Sequence, residues 1–396
     1  MIVAILTNLY PPYVRGGAEY LTHQLGLELV RQGHQVCVVT GVPWKSVRKF
    51  SPELREEGGV KVYRFFPLNF YHYLQASHAP YPLRFLWQLV NLANVPVARS
   101  VATVLKHEQP DLVISANLMG LSFLLPRTIA KLGLKHIHVL HDVQLLHPSG
   151  LFRWGKRRGG LVAWCYRALT RWLFKSVTTV VSPSRWLMDE HVNKGFFPKA
   201  NHVVLPNPAP QPLAIPGTKT TKLPLRLLYV GQLEEHKGIL WLLATLDKLP
   251  RQDFILHIFA LGQKPKLKLV RELALRDNRF VLHDLPSQEE IDQAYAASHL
   301  TIVPSLCYEN SPIAIPTSFR AQTPVLAANL GGIPELIIEG ETGWLFAPGD
   351  SRDLVTKLSW CFDHPGKLLE AGLKASRVFA DRTLEHYAKM LVDMSK

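Results

Sequence analysis

Two consecutive strand–loop–helix patterns lie in residues 301–336, TIVPSLCYENSPIAIPTSFRAQTPVLAANLGGIPEL. The first apolar, β-branched run, 301–303, predicts a buried strand that ends at Pro304. Residues 324–327 predict a second strand of the same kind. Because each strand is followed by a loop and a helix, the stretch predicts a parallel α/β sheet.

The loops after these two strands are predicted to form a ligand site, because open α/β sheets bind ligands at the carboxyl ends of their strands. Ser311 followed by Pro312 is typical of a helix start, with a hydroxyl cap and proline in the first helical position. The second loop contains Gly331-Gly332 before a short helix predicted from Pro334. Free backbone N–H groups and the helix dipole at such junctions favour an anionic ligand such as a pyrophosphate.

One carboxylate, Glu309, lies at the tip of the first loop, where it would repel a phosphate. Carboxylates accept hydrogen bonds from sugar hydroxyls, so a neutral polyol is a better partner for Glu309. Taken alone, a solvated acid near a helix start is the more common explanation. The two features together favour a sugar attached to a diphosphate.

Length and composition indicate two domains, because 396 residues are more than one core usually organises. Cys37, Cys165, Cys307 and Cys361 form no CxxC pair, which indicates reduced cysteines rather than disulfides or metal ligands. The chain opens with an apolar strand pattern at residues 2–6, so we expect no signal peptide. No apolar run approaches the roughly 20 residues that span a membrane, and a cytoplasmic location is expected.

The net charge of +14 predicts an anionic partner. Nucleic acid is the least favoured one, because no interleaved aromatic and basic module and no zinc spacing is present. Basic residues concentrate between Arg153 and Arg185, and residues 161–175 have the pattern of a basic amphipathic helix. Such a helix can lie in a membrane interface. An ordinary helix that packs its aromatic stripe on the sheet explains the pattern at least as well.

Alternating strands and helices predict a doubly wound parallel sheet in each half of the chain. The predicted domains are residues 1–205 and 223–381, joined by a proline-rich linker at 206–222. A C-terminal helix at about 382–396 is predicted to pack back on the first domain. Further helices are predicted in the first half at residues 18–32, 83–106 and 118–132.

Three further patterns lie at predicted strand ends. Gly16-Gly17 places backbone amides at a helix start, although a tight structural turn is the usual cause of such a pair. Gly231 lets the chain turn off a strand, and Lys237 is placed to reach a phosphate as a point charge. His141 is placed to hydrogen-bond a sugar hydroxyl or a phosphate. Each of these residues has an ordinary structural explanation when it stands alone.

Together these residues resemble the family 4 retaining glycosyltransferases of GT-B architecture, a bacterial polysaccharide-type group, over essentially the whole chain. The order and spacing of the motifs make the resemblance specific. The motifs are Tyr10-Pro-Pro-Tyr13, Arg15-Gly-Gly-Ala-Glu19, His141-Asp142, Val181-Ser-Pro-Ser184, Pro206-Asn207, Tyr229-Val-Gly231, Lys237-Gly238, Pro304-Ser305, Tyr308-Glu-Asn-Ser-Pro312, Gly331-Gly-Ile-Pro-Glu335 and Gly340-Glu-Thr-Gly-Trp344.

The resemblance implies a retaining, metal-independent hexosyltransferase with no cofactor beyond its substrate. It would move a sugar from a nucleotide-diphosphate sugar to a glycan or lipid-linked acceptor in polysaccharide biosynthesis. Two Rossmann-like domains would face each other across a cleft, with the donor held mainly by the second domain and the acceptor by the first. Separately from the resemblance, the basic, aromatic region at residues 151–175 predicts an anionic membrane surface on the cytoplasmic side as a further partner.

The resemblance also implies a role for each candidate residue. Glu309 would hold the hydroxyls of the donor sugar, Lys237 would neutralise the departing diphosphate, and His141 would contact the sugar from the opposite wall. Gly17 would let the first-domain loop approach the phosphates. The remaining donor contacts implied by the family are Gly16, Gly231, Gln232, Leu285, Asn310, Ser311, Pro312, Ile313 and Thr317, with Leu285 near the base.

Two positions depart from the family pattern. Gln232 stands where the family usually has an arginine, and Thr317 stands where it usually has a second glutamate that binds the ribose. A hydroxyl replaces a carboxylate poorly at such a contact, at a cost of about 1–3 kcal/mol. These departures leave two alternatives to a transferase: a non-catalytic glycosyltransferase-like binding subunit, and, less favoured, a GT-B sugar-nucleotide epimerase.

Overall fold

The computed structural model describes residues 1–44, 51–75, 79–156, 159–209, 219–261, 264–284 and 286–395. The chain divides into two units. The first comprises Met1–Leu151, Arg157–Pro206 and Leu384–Lys396, and the second comprises Phe152–Lys156 and Asn207–Thr383.

The first unit contains one sheet with helices between its strands. Its described strands and α-helices up to residue 204 are β1 (Ile2–Thr7), α1 (Gly17–Arg31), β2 (Gln35–Gly41), β3 (Glu53–Glu57), β4 (Val60–Phe65), α2 (Tyr81–Leu92), α3 (Val95–Glu108), β5 (Leu112–Ser115), α4 (Leu125–Lys131), β6 (Lys135–Val139), α5 (Leu161–Leu173), β7 (Thr179–Ser182), α6 (Arg185–Val192) and β8 (Asn201–Val204). The described strands pair in the order β3-β4-β2-β1-β5-β6-β7-β8, and all neighbours are parallel except β3 and β4.

The central strands of this sheet are buried along nearly their whole length, as in β1, β2 and β5. Strands that are covered on both faces consist of continuous apolar runs, which is the pattern seen in the sequence. The helix α1 adds Leu25 and Leu29 to the same apolar cluster. It ends before Gly33, whose φ of +84° suits a glycine at a helix C-terminus.

The second unit repeats this architecture. Its elements are β9 (Leu225–Gln232), α7 (Ile239–Asp247), β10 (Phe254–Leu261), α8 (Lys264–Arg276), β11 (Phe280–Asp284), α9 (Gln288–Ala297), β12 (Leu300–Val303), α10 (Ala314–Arg320), β13 (Val325–Ala328), β14 (Gly343–Phe346), α11 (Ser351–Asp363) and α12 (Pro365–Val378). The described strands form a parallel sheet in the order β11-β10-β9-β12-β13-β14.

Both faces of the second sheet are covered by helices. Leu326 and Ala328 of β13 belong to a core cluster with side chains of α7 and α11. Val325 and Ala327 belong to a cluster with side chains of α10 and α12. Because successive residues of a strand point to opposite faces, this alternation places the two helix layers on opposite sides of the sheet. The prediction of two doubly wound, Rossmann-like α/β domains is therefore confirmed.

The long helix predicted at residues 83–106 is wrong, because the structure has two helices, α2 and α3, separated at Ala93 and Asn94. The Asn94 side chain caps α3 by accepting a hydrogen bond from the Val97 N–H at 3.3 Å. Pro96 lies in the first turn of α3, where a proline lacks no helical hydrogen bond. The capping side chain and the proline start a new helix inside an apolar run.

The helix predicted at residues 118–132 is shorter than expected, because α4 begins only at Leu125. The chain turns at Gly120, whose φ is +99°, outside the helical region. The Gly120 N–H donates to Asn91 Oδ1 at 2.6 Å, so the preceding loop is held by a side chain rather than by helical bonds.

The C-terminal helix α13 (Leu384–Asp393) belongs to the first unit. Its buried residues Tyr387, Ala388, Leu391 and Val392 join the apolar cluster that contains α1. Residues 152–156, which lie inside the predicted first domain, belong to the second unit. Of the predicted linker, residues 210–218 lie outside the described residues.

Candidate active site

The candidate site lies at the carboxyl edge of the second sheet, where β9, β12 and β13 are neighbours. The loop after β9 carries Lys237, the loop after β12 carries Glu309, and the loop after β13 carries Gly331. The sheet order therefore brings three loops together that lie far apart in the sequence.

The ion pair between Lys237 and Glu309 is the central feature of this edge. Lys237 Nζ lies 2.5 Å from Glu309 Oε1, and the two side chains are 29% and 14% exposed. The same carboxylate oxygen accepts a hydrogen bond from Ser305 Oγ at 3.2 Å and a contact from Cys307 Sγ at 3.7 Å. Within the described part of the chain, the other oxygen, Glu309 Oε2, makes no hydrogen bond, so it remains able to accept one from a ligand.

Both groups of the ion pair are held in their charged forms. Burial alone would raise the pKa of Glu309, but the charge and hydrogen bond of Lys237 lower the pKa below its ordinary value. Burial alone would lower the pKa of Lys237, but Glu309 raises it above its ordinary value. The neighbouring His236 has a pKa lowered to about 4, first by burial and then by the positive Lys237. At neutral pH the site therefore holds one cation, one anion and a neutral imidazole.

Two glycines allow the three loops to approach this closely. Gly238 follows Lys237 with a φ of +76°, and a Cβ there would lie 1.8 Å from the Pro304 carbonyl oxygen. Gly331 has a φ of +67°, and a Cβ there would lie 2.3 Å from the Glu309 carbonyl oxygen. The Gly332 N–H donates to that oxygen at 2.7 Å. The backbone of Glu309 is thus fixed by the loop that follows β13.

A short segment from earlier in the chain completes the support of the Glu309 loop. The Trp154 N–H donates to the Leu306 carbonyl oxygen at 3.0 Å, and the Tyr308 N–H donates to the Phe152 carbonyl oxygen at 2.9 Å. Arg153 and Cys307 form an isolated antiparallel bridge between these two bonds. The loop that presents Glu309 is therefore paired on one side like the edge of a sheet.

The residues after Glu309 do not form the predicted helix start. The helix α10 begins at Ala314, and Ser311 does not cap it. Instead, the Ser311 N–H donates to Asn310 Oδ1, which makes a local turn and occupies one amide of the predicted anion site. Pro312 and Ile313 precede the helix without belonging to it. The short helix predicted from Pro334 is a single 3₁₀ turn, Ile333–Leu336.

One polar residue at this corner was not among the predicted ligand contacts. Asn207 Nδ2 donates to the Ser311 carbonyl oxygen at 3.3 Å. Both residues are buried, and Asn207 Oδ1 and Ser311 Oγ have no hydrogen-bond partner among the described residues. Buried polar atoms are normally paired, so these two provide capacity for a ligand or a water beside the Glu309 loop. The only sequence signal for Asn207 was its place in Pro206-Asn207, one of the motifs that resemble the family.

The two family departures lie at the same edge of the second unit. The Tyr229 hydroxyl donates to the Gln232 carbonyl oxygen at 2.8 Å, and a Cβ at Gly231 would lie 3.1 Å from that hydroxyl. Thr317 Oγ1 donates to the Ile313 carbonyl oxygen at 2.8 Å inside α10. Its hydroxyl proton is therefore used within the helix, although the oxygen can still accept. Leu285 lies outside the described residues.

The first-unit candidates Gly16 and Gly17 lie at the start of α1. Gly16 precedes the helix in an extended conformation, and its N–H donates to Glu19 Oε2 at 2.8 Å. This amide is therefore paired within the helix cap, and an anion would compete with Glu19 for it. Burial raises the pKa of Glu19 above its ordinary value.

The third first-unit candidate, His141, follows β6 at the carboxyl edge of the first sheet. Burial lowers its pKa to about 4, so the imidazole is neutral at pH 7 and suits hydrogen bonding to a hydroxyl. Burial raises the pKa of the adjacent Asp142 to about 7, and the negative charge of Glu19 contributes to the shift. Asp142 Oδ1 accepts a hydrogen bond from the Gln144 N–H at 2.7 Å. Glu19 and Asp142 are acidic groups that the sequence patterns did not assign to a site.

The described residues contain neither a cluster of metal-binding side chains nor a helix able to span a membrane. No group of three or more His, Cys, Asp or Glu side chains in this part of the chain is arranged to hold a metal ion. Among the same residues, no helix combines the length and the apolar character that crossing a bilayer requires.

Solved structures of glycosyltransferases share this fold over the whole chain. Sucrose-phosphate synthase from Thermosynechococcus elongatus matches with a TM-score of 0.76 at 17% identity, covering 99% of this chain and 98% of that chain. HepE from Anabaena, in complex with UDP, matches with a TM-score of 0.70 at 18% identity, covering 100% and 99%. The fold is therefore that of the GT-B glycosyltransferases.

Sequence comparison extends the assignment from fold to family. The family model "Glycosyl transferase 4-like domain" matches residues 16–208, and the model "Glycosyl transferases group 1" matches residues 224–364. A Klebsiella pneumoniae protein described as "Uncharacterized 42.6 kDa protein in cps region" is 26% identical over 340 residues, which are 85% of this chain and 87% of that protein. The chain is a glycosyltransferase of the GT-B type.

Proposed function

We propose that this protein transfers a sugar from a nucleotide-diphosphate sugar to a glycan or lipid-linked acceptor in polysaccharide assembly, with retention of anomeric configuration and without a metal ion. The acceptor is bound by the first unit, at the cytoplasmic face of a membrane. The observation that carries the proposal is the Lys237–Glu309 ion pair at the carboxyl edge of the second sheet. HepE, a structural neighbour, is solved in complex with UDP and with UDP-glucose, which supports a nucleotide-sugar donor.

In this proposal, the two residues of the ion pair bind different parts of the donor: Lys237 binds the diphosphate and Glu309 binds the sugar. Lys237 supplies the positive charge that a leaving diphosphate requires, and its raised pKa keeps it protonated throughout the neutral range. Glu309 Oε2, which makes no hydrogen bond within the described residues, accepts from a sugar hydroxyl. Because Lys237 holds the other carboxylate oxygen, Glu309 stays ionised beside the sugar and is kept in one orientation.

The loop around Ser311 supplies further donor contacts in the same proposal. Ser311 Oγ and Asn207 Oδ1, which have no hydrogen-bond partner among the described residues, belong to two side chains joined at Ser311 in the loop that carries Glu309, and they suit the hydroxyl groups of a sugar or ribose. The Thr317 hydroxyl donates its proton to the Ile313 carbonyl oxygen, so toward a ligand it can act only as an acceptor. We therefore assign part of the ribose contact to Ser311 and Asn207 in place of the family's glutamate.

Calorimetric titration with UDP, GDP, ADP and their sugar conjugates tests the donor site. Lys237→Met should weaken binding of both the nucleoside diphosphate and its sugar conjugate, because both carry the diphosphate. Glu309→Gln should weaken binding of the conjugate more than that of the bare nucleotide, because only the conjugate carries the sugar. Transfer, assayed with the donor so identified, should fall about 100- to 1,000-fold in Lys237→Met.

The matched controls are Lys248→Met and Glu341→Gln, which change exposed side chains in the same unit. Both should bind donor and transfer sugar like the unchanged protein. Thermal unfolding of every variant is required, because removal of one partner leaves the other charge half-buried and unpaired. Undiminished transfer in a folded Glu309→Gln protein would contradict the site assignment.

The remaining parts of the proposal have their own measurements. NMR of the product should show the anomeric configuration of the donor, and activity should persist in excess chelator. Donor binding without turnover for any acceptor would indicate a non-catalytic binding subunit rather than a transferase. Epimerisation of the donor in the absence of an acceptor would indicate an epimerase instead.

A further inference from the structure

Two neighbouring helices of the first unit expose large apolar side chains to solvent. On α2, Phe85 is 60% exposed, Leu86 46% and Leu89 48%. Isolated exposed apolar residues are ordinary, but adjacent ones on a single helix face indicate an interaction surface.

The helix α5 exposes a second apolar face. Leu161 is 76% exposed, Val162 71% and Trp164 61%. The opposite side of α5 is buried through Ala163, Tyr166, Thr170 and Leu173. The helix therefore does not pack its tryptophan stripe on the sheet, which was the ordinary explanation of its sequence pattern.

The two exposed faces lie on the same part of the first unit. Gln88 Nε2 of α2 donates to the Tyr166 hydroxyl of α5 at 2.9 Å, and this hydroxyl donates to the Gln144 carbonyl oxygen at 2.7 Å. These buried bonds join the inner sides of both helices to the unit, so their outer sides flank one region of surface. We call this region the α2–α5 surface: Phe85, Leu86, Leu89, Leu161, Val162 and Trp164.

The charge around this surface has one sign. Residues 66–107, which include α2, contain three lysines or arginines and no aspartate or glutamate. Residues 159–188, which include α5, contain four lysines or arginines and again no acidic residue. Arg84 of α2, Arg171 of α5 and Lys175 just after α5 are exposed. Exposed apolar side chains on helices whose stretches of sequence carry cations and no acidic residue fit an anionic bilayer surface better than a typical protein interface.

We propose that the α2–α5 surface docks the first unit onto an anionic lipid bilayer. Its aromatic and aliphatic side chains enter the boundary between headgroups and acyl chains, and the surrounding arginines and lysines contact lipid phosphates. The consequence that the first unit thereby meets a lipid-linked acceptor rests on the proposed function. The docking itself does not, because it involves no donor residue.

Flotation with vesicles tests the docking directly. The unchanged protein should float with vesicles of phosphatidylcholine and phosphatidylglycerol at physiological salt, and less with phosphatidylcholine alone. The double variant Phe85→Glu, Trp164→Glu should lose at least ~10-fold of the vesicle-bound fraction, because two carboxylates would enter the interface. Both positions are mostly exposed, so circular dichroism and thermal unfolding should remain unchanged.

Leu275→Glu is the matched control. Leu275 is 82% exposed on α8 of the second unit, so it undergoes the same chemical change away from the α2–α5 surface. This variant should float like the unchanged protein. No sugar donor is present in the assay, so its result is independent of whether transfer is observed.

A fluorophore on α5 distinguishes binding to a bilayer from binding to a protein partner. Cys165 is exposed, whereas Cys37, Cys307 and Cys361 are buried, so a polarity-sensitive thiol label reports on α5. Its emission should shift to the blue on addition of anionic vesicles. A shift that depends on protein concentration without lipid, together with dimers that the double variant abolishes, would show an interface between two copies. That result, or absence of flotation, overturns the proposal.

Discussion

At the scale of single residues, the candidate site depends on one carboxylate whose two oxygens have different hydrogen-bond partners. Glu309 Oε1 is occupied by Lys237, Ser305 and Cys307, and Oε2 makes no hydrogen bond in the described residues. An isolated half-buried carboxylate would tend to become protonated, and a protonated acid accepts hydrogen bonds less well. The lysine thus has a structural role in addition to its proposed contact with the diphosphate.

Gly331→Ala tests whether the backbone of Glu309 must be approached this closely. A Cβ at Gly331 would collide with the Glu309 carbonyl oxygen at 2.3 Å, so we expect lower stability and loss of measurable donor affinity. Gly340→Ala is the control, because Gly340 has a similar φ of +77° with no atom within 4 Å of the added Cβ. It should cost only about 1–2 kcal/mol, the strain of a left-handed alanine.

Thermal unfolding and calorimetric donor titration measure the two variants. If Gly331→Ala binds donor as well as Gly340→Ala does, the loop after β13 does not fix Glu309. The sequence identified the Gly331-Gly332 pair as part of a site but did not reveal this contact. Loop conformation around Glu309 is set by the meeting of distant segments, and Lys237 alone is 72 residues away from it.

Ser311 shows why a local pattern can predict the wrong atom. Serine before proline is typical of a helix cap, and the pattern is correct that a helix follows. In the structure the preceding Asn310 takes the Ser311 amide, and α10 starts three residues later at Ala314. As a cap, Ser311 Oγ would accept from an amide of the first helical turn, whereas the bond that forms is the one from the Ser311 N–H to Asn310 Oδ1, and the sequence carries no sign of which local bond forms.

At the scale of elements, the separation of α2 from α3 depends on one buried side chain. Asn94 Oδ1 accepts from the Val97 N–H, and Asn94 Nδ2 donates to the Leu68 carbonyl oxygen at 2.9 Å. Asn94→Ala should therefore destabilise the first unit by about 1–2 kcal/mol, the usual cost of a lost cap. Urea unfolding measures the difference.

Asn94→Asp separates the two roles of this residue. Aspartate keeps the oxygen that accepts from Val97 but cannot donate to Leu68. We expect an intermediate stability if both bonds contribute. A stability equal to that of Asn94→Ala would show that the contact with Leu68, not the helix cap, is the important one.

The helix α5 shows what periodicity can and cannot indicate. Its sequence correctly indicates two unlike faces, but apolar residues occur on both, and the buried side is the one with Tyr166 and Thr170. These two polar groups reach buried partners, and Thr170 Oγ1 donates to the Leu145 carbonyl oxygen at 2.7 Å. The helix is thus oriented by its polar side chains, and Trp164 remains outside. Hydrophobicity alone does not distinguish the two faces.

At the scale of the whole molecule, the alternation of apolar strands and amphipathic helices predicted both parallel sheets, but not their outer strands β8 and β14. Continuous β-branched runs are needed wherever a strand is covered on both faces, so the pattern follows directly from the architecture. The antiparallel edge strand β3, Glu53–Glu57, was not predicted, because four of its five residues are exposed and charge dominates its sequence. An edge strand lacks the apolar signal that identifies a central one.

The C-terminal helix α13 is expected to be essential to the first unit although it follows the second in sequence. Leu391 is fully buried in the cluster that contains Leu25 and Leu29. Leu391→Ala should cost about 2–5 kcal/mol through the cavity it leaves. The exposed Lys389→Ala on the same helix is the control and should change stability little.

Hydrogen exchange can locate this effect within the molecule. Protection should fall in β1 and β2 of the first unit and remain unchanged in β9 and β12 of the second. Equal loss of protection in both sheets would show that the two units unfold together.

The segment 152–156 makes the second unit discontinuous in sequence. A fragment of the second unit excised at Asn207 would lack the strand-like pairing on Leu306 and Tyr308, and the bridge to Cys307. The loop that carries Glu309 would then present unpaired backbone groups to water. Replacement of the part of this chain before the linker by that of a related enzyme would therefore join the Glu309 loop to a foreign supporting peptide. Recombination of this chain is constrained by five residues that lie about fifty positions before the apparent boundary.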